Sequence, residues 1–310
     1  MRVVTRPDFD GIVCAVLLQE ALAIDEPVRW VEPNVMQSGR VEIRKDDIIA
    51  NLSYHKNCLL WFDHHVSNSL DIPFNGAFKV APSAAGIIFD FFNSFDAGKN
   101  PAFIADRVKG FQRDYTELVA AADKIDAARL NLDEVEHPEK YPYLCFSMTI
   151  VSYKSADEPY WNRLVELLRK YDLQKVLKDP EVRRRCKASL EQNETYAALL
   201  KEHTVINKHV SITDFRSFET MPIGNRFLVF SLFPETAVNV KIRHHDDDRE
   251  RLIVSVGRNI FNDRCKVNTG MLCARFGGGG HYGAGSCCFH SSKTDEYLPV
   301  ILEAVSKNEE

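Results

Sequence analysis

The chain has 310 residues, 45% of them hydrophobic and 27% charged, with a formal net charge of −5. That is enough chain for two domains of ordinary size in a globular protein. The acidic balance argues against sequence-blind binding along a nucleic-acid duplex. Eight cysteines are scattered without a CxxC pair, several inside apolar runs, and read as reduced thiols of a cytoplasmic protein. The N-terminus shows no secretory h-region, and no apolar stretch reaches membrane-spanning length.

Arg2 to Thr5 reads as a short β-branched strand. It is followed by the acidic turn Arg6-Pro7-Asp8-Phe9-Asp10-Gly11 and an apolar helix over Ile12 to Ala23. Asp8 and Asp10 flank Phe9, so both can face one point from an extended tip, where the helix N-terminus favours phosphate. The plainer alternative is Asp10 as a helix cap. Val28 to Val31 and Asp47 to Leu52 read as further strands, the second reaching its polar tip at Asn51.

The apolar run Cys58-Leu59-Leu60-Trp61-Phe62 ends abruptly in Asp63-His64-His65. Strand carboxyl ends carry the ligand sites of open α/β sheets, and successive strand side chains point to opposite faces, so the two histidines should do different work. Neutral imidazole and carboxylate together suit a transition metal. Pro82-Ser83-Ala84-Ala85-Gly86 opens a helix with Ser83 as its cap and Phe89, Phe91 and Phe92 toward the core. Leu118 to Leu130 reads as a helix presenting Asp123 and Asp126 on one face. Asp123, preceded by Ala121 and Ala122, is expected to be the buried functional acid and Asp126 a solvated one.

Asp157 to Lys208 is rich in Leu, Arg, Lys and Glu and reads as connecting helices, with Pro180 at a helix start and Arg183-Arg184-Arg185 on a solvated face. Strand-like segments follow at His209–Phe215, Phe227–Phe233, Ala237–His244 and Arg251–Val256, with His244-His245-Asp246-Asp247-Asp248 as a hairpin tip. Met271 to Phe276 reads as a short helix, and Ser286 to Phe289 as a closing strand. Between them, Gly277-Gly278-Gly279-Gly280-His281 suits a loop whose amides approach an anion, a flexible hinge being the alternative. No Gly-x-x-x-x-Gly-Lys-Ser/Thr motif is present, so a P-loop NTPase is not supported.

The ordered set Asp8-x-Asp10-Gly11, Asp63-His64-His65, Asp123 and Gly277 to His281 resembles the DHH/DHHA1 phosphoesterase superfamily over nearly the whole chain. That superfamily includes RecJ-type exonucleases, oligoribonuclease/phosphoadenosine-phosphate phosphatases, cyclic-dinucleotide phosphodiesterases and exopolyphosphatases. The resemblance implies an α/β fold: an N-terminal parallel-sheet DHH domain over 1–180, a helical connector over 181–204 and a smaller α/β DHHA1 domain over 205–310. It implies Asp8, Asp10, Asn51, His64 and Asp123 as metal ligands, with Asp126 as the alternative to Asp123. It implies His65 as a catalytic residue contacting phosphate, supported by Asp63, and Arg258, Gly278, Gly279, Gly280 and His281 as substrate-binding.

Two departures matter. Many relatives carry His or Asp where Val4 and Arg6 stand, and a bridging carboxylate where Asn51 stands. Arg6 is then expected in a catalytic role, its fixed positive charge replacing a missing metal. The implied cofactor is Mn²⁺, one or two ions, with Mg²⁺ as a substitute. The implied activity is metal-dependent hydrolysis of a small phosphorylated substrate, a nucleotide or short single-stranded oligonucleotide, in a cleft between the domains. A catalytically weakened nucleotide- or phosphate-binding protein and an exopolyphosphatase are the alternatives, and a homodimer is left open.

Overall fold

The computed structural model describes residues 1–98, 102–150, 155–246 and 248–309. The chain divides into two compact units, Met1–Arg129 with Tyr141–Cys186, and Leu130–Lys140 with Lys187–Glu310.

The first unit holds a parallel sheet of β1 (Arg2–Thr5), β2 (Arg29–Trp30), β3 (Asp47–Ala50), β4 (Leu60–Asp63) and β5 (Gly76–Phe78), in the order β2-β1-β3-β4-β5. Every residue of β3 and β4 is buried, which is why these strands read as unbroken apolar runs rather than alternating ones. The register pairs Thr5 with Ala50 and Ala50 with Phe62, so the carboxyl ends of β1, β3 and β4 emerge side by side. Strand order reverses at β1, and the crevice at such a switch point is where open α/β sheets bind ligands.

Helix α1 (Phe9–Ala21) is apolar all round because it packs on β1 and against three further helices, α2 (Ala84–Asn93), α3 (Thr116–Asp126) and α4 (Glu158–Lys170). Its cap is Asp8, whose carboxylate accepts from the Gly11 amide at 2.8 Å; Asp10 lies inside the first turn and is not the cap. Ser83 caps α2 as expected, accepting from the Gly86 amide at 2.9 Å. Beneath the sheet, Trp61 stacks on Phe78 at 5.4 Å, meets Phe74 edge-on at 4.8 Å and donates its indole N–H to the Leu52 carbonyl at 2.9 Å.

Helix α5 (Pro180–His203) does begin at Pro180, where Asp179 accepts from the Glu181 and Val182 amides. Its Arg185 departs from the solvated face expected of it: it pairs with Asp157 at 2.8 Å and Glu181 at 3.1 Å and lies over the Tyr160 ring.

The second unit contains a six-stranded sheet of β6 (Thr204–Asn207), β7 (Val210–Asp214), β8 (Val238–His244), β9 (Arg251–Arg258), β10 (Gly279–Gly280) and β11 (Ala284–His290), in the order β10-β11-β9-β8-β7-β6. Only β7 and β8 run parallel among the described pairs. Val238, Val240, Ile242, Leu252, Val254 and Val256 alternate onto the core face, in one cluster with Leu272, Ile301 and Val305. The segment Phe227–Phe233 is not a strand but the short helix α6 (Leu228–Leu232), with Leu228, Val229 and Phe230 all buried. A run apolar at every position carries no period, so strand and helix cannot be told apart from it. Helices α7 (Thr269–Ala274) and α8 (Thr294–Lys307) complete the unit. His244 ends β8 at the expected hairpin tip, and Asp247 lies outside the described residues. Among the described residues, no helix is long and apolar enough to cross a membrane.

Candidate active site

The first turn of α1, the residue after β4 and the end of helix α3 bring Asp10, His64 and Asp126 together. One ligand atom from each lies within 4.8 Å of the other two. His64 Nδ1 meets the Ala81 carbonyl at 3.1 Å, and because a carbonyl only accepts, that contact places the proton on Nδ1. Nε2 lies 3.8 Å from Asp10 Oδ2 and 3.5 Å from Asp126 Oδ2. Asp10 is almost fully buried and accepts from the amides of Ala84 at 3.0 Å and Ala85 at 2.9 Å. Burial, then repulsion from Asp126 and Asp8, pushes its carboxyl well above the ordinary carboxylate range. Two carboxylates and an imidazole nitrogen converging at one point make a set that a divalent cation fits; cis ligands on one ion at bond lengths of about 2.1 Å stand about 3 Å apart, so a small contraction closes it.

A second cluster lies beside the first. Asn51, in left-handed backbone at φ 56°, donates its amide to Asp8 Oδ1 at 3.0 Å, and Arg6 Nε lies 3.1 Å from Asp8 Oδ2. Burial works against the Arg6 charge, but Asp8, Glu32, Asp126 and Asp10 outweigh it, so its pKa is raised and the guanidinium stays charged. Glu32 was not among the residues expected here. Burial pushes its carboxyl up to about 7, with Arg6 opposing and Asp8 adding to the rise. It follows Val31, whose amide donates to the Thr5 carbonyl beyond the end of β2, so the strand-tip rule applied to β2 points to it.

Asp63 is fully buried and turns away from the Asp10 cluster. Its Oδ1 meets His65 Nδ1 at 2.7 Å, and its Oδ2 accepts from the Asn68 amide at 2.6 Å. Asp123 is likewise not the third acid beside Asp10 and His64. It accepts from Ser83 Oγ at 2.6 Å and packs on Gly86, where an added Cβ would sit 2.7 Å from its Oδ1. The helix face expected for Asp123 is correct to within one turn, but the carboxylate that reaches His64 is that of Asp126.

In the second unit the glycine run is not a free loop. Gly279 and Gly280 form β10 against β11, and the Gly278 amide donates to the Cys273 carbonyl at 3.0 Å. A Cβ on Gly278 would lie 2.0 Å from the Ser286 carbonyl oxygen, so close backbone approach requires glycine there. Gly278→Ala is therefore expected to lower the thermal midpoint of the chain by several degrees, read by circular dichroism; an unchanged midpoint would contradict that packing. The neighbouring His281 donates its amide to the Ala284 carbonyl at 2.8 Å. Arg258, at the end of β9, directs Nη2 at the Cys265 carbonyl and lies over the Tyr282 ring.

No protein-family model matches the chain, and no curated protein does. Among solved structures, the pGpG-specific phosphodiesterase PggH from Vibrio cholerae is similar at a TM-score of 0.72 and 26% identity, over 99% of this chain and 99% of that one. The fold is that of the DHH phosphoesterase superfamily. Two further structures share the fold alone. An exopolyphosphatase-related protein from Bacteroides fragilis has a TM-score of 0.50 and 11% identity, over 100% of this chain and 93% of that one. RecJ from Thermus thermophilus, in complex with Mn²⁺, has a TM-score of 0.57 and 11% identity, over 99% of this chain and 52% of that one. In this chain the triplet Asp63-His64-His65 divides in two: His64 turns to Asp10 and Asp126, and His65 turns to Asp63.

Proposed function

We propose that the chain is a metal-dependent phosphohydrolase acting on a nucleotide or short oligonucleotide, with one divalent cation, Mn²⁺ or Mg²⁺, held by Asp10, His64 and Asp126. The observation that carries this reading is the convergence of two carboxylates on Nε2 of His64. The substrate class is supported by the 26% identity, over the whole chain, to a phosphodiesterase named for pGpG.

The second cation of the usual two-metal scheme is replaced by Arg6. Asp8, which the resemblance counts among the metal ligands, is already engaged by the Arg6 guanidinium and the Asn51 side-chain amide. An amide brings no negative charge to share between two ions. The bound cation supplies a Lewis acid for a phosphoryl oxygen. The chain's own groups do the rest. Arg6 holds fixed positive charge for the oxygens on which negative charge develops. Asp63 keeps the proton at His65 Nδ1 and fixes the ring, so that Nε2 meets the phosphate. Arg258, Gly278, Gly279, Gly280 and His281 bind the remainder of the substrate.

Elemental analysis of the full chain after Mn²⁺ loading, with turnover of bis-p-nitrophenyl phosphate and pGpG on the same sample, tests this reading. About one ion per chain with turnover is expected. Two ions would overturn the Arg6 replacement, and no ion with no turnover would favour a phosphate-binding protein. Arg6→Ala is expected to keep one ion while turnover falls about 100- to 1,000-fold, the usual loss when one preorganised charge-stabilising group is removed. Unchanged turnover, or a lost ion, would count against the role given to Arg6.

A further inference from the structure

Tyr282 directly follows His281 at the tip between β10 and β11, and the residue is 51% exposed. An exposed aromatic side chain is ordinary by itself. This one is held from three directions. The Arg258 guanidinium lies 4.5 Å from the ring centroid. The phenol donates to the Lys266 carbonyl at 3.3 Å. The backbone carbonyl of Tyr282 accepts from the amide of Thr269 at 3.1 Å and from its hydroxyl at 3.2 Å. Arg258 in turn is anchored by its own amide to the Gly283 carbonyl at 2.8 Å and by its guanidinium to the Cys265 carbonyl.

Such a ring has little conformational freedom left to lose when something packs on it, which is what makes a rigid aromatic an effective contact. A cation under one face and exposed ring surface elsewhere suit a flat partner. A nucleobase is the flat group that a phosphorylated substrate brings to such a place, and every base offers a π face. The phosphate attached to the same nucleotide has Arg258, against the ring, and His281, the preceding residue, to meet it.

We propose that Tyr282 is a stacking platform for a nucleobase of the substrate, and so a specificity-determining residue that selects nucleotides over base-free phosphates. This deepens, and rests on, the reading of the chain as a nucleotide phosphohydrolase. The hydroxyl serves to fix the ring and the ring serves to bind.

Isothermal titration of the full chain with GMP and with ribose 5-phosphate, Mn²⁺ present, reads the base contribution without turnover. Wild type is expected to bind GMP about tenfold or more tightly than ribose 5-phosphate, the scale of one base–aromatic stack. Tyr282→Ala and Tyr282→Leu, which lack the π face, are expected to bring the two ligands within about twofold of each other. Tyr282→Phe should keep most of the preference. Binding of neither ligand by wild type, equal binding of both, or a preference that persists in Tyr282→Leu would each overturn the platform. A chain that hydrolyses no dinucleotide yet shows the Tyr282-dependent preference would overturn the hydrolase reading alone.

Discussion

Asp126→Asn is expected to lower Mn²⁺-supported kcat/KM by more than about 100-fold, because even the outer partners of metal ligands are worth 10- to 100-fold. Asp123→Asn is expected to cost far less. The two acids sit three residues apart on α3, but only Asp126 reaches His64 Nε2, at 3.5 Å, whereas Asp123 is held by Ser83. The neutral amide of Asn at position 126 keeps the volume and removes the charge that offsets a cation. Metal content and hydrolysis of bis-p-nitrophenyl phosphate, measured on both purified variants, decide the matter. Loss of the ion in Asp123→Asn with retention in Asp126→Asn would reverse the assignment.

Trp61→Ala is expected to cost the first unit about 3–5 kcal/mol, the range for deleting a large buried aromatic side chain. Trp61 has no exposed surface and touches the rings of Phe78, Phe74 and Tyr54. Its loss also leaves the Leu52 carbonyl without its indole donor, a further penalty of about 1–3 kcal/mol if no water replaces it. Leu52 adjoins Asn51, so the loss is felt one residue from the site. Urea unfolding followed by far-ultraviolet circular dichroism should show the midpoint falling by more than about 1 M, given slopes of about 1–3 kcal/mol per M. Trp61→Phe should fall less. A shift in Trp61→Ala within error of wild type would mean that the aromatic cluster does not anchor β4.

What the sequence disclosed and what it hid follow from the range of the interactions involved. The α/β class, the start of α5 at Pro180, the Ser83 cap and the polar end of β4 are written locally, in residue types that differ sharply from their neighbours. The segment Phe227–Phe233 misled because all its neighbours are alike and tertiary packing alone makes it α6. Asp123 and Asp126 share a helix and a face, and the local cue that favoured Asp123, the two alanines before it, does not report which partner each acid meets. They are separated by Ser83, 40 residues earlier in the chain, which takes one of them, and by His64, which meets the other. The strand-tip rule marks Glu32 only as a polar tip residue, since the partner that gives it meaning is Arg6 on a different strand end. Chain order shows which residues occupy strand tips, and only the assembled sheet shows which of them share a charge.

The chain passes between its two units at residues 129/130, 140/141 and 186/187. A ribosome that has released residues 1–129 has therefore delivered a parallel sheet without α4, one of the helices that cover α1. The eleven residues that come next, Leu130–Lys140, must wait for partners such as α6 that are synthesised some 90 residues later. Domains ordinarily complete themselves in the order in which they are made. Here the first unit closes only after part of the second has been laid down and left waiting. Residues 1–186 are therefore the smallest stretch that holds the whole first unit and 130–310 the smallest that holds the whole second, so the two stretches overlap and no single cut separates the units intact.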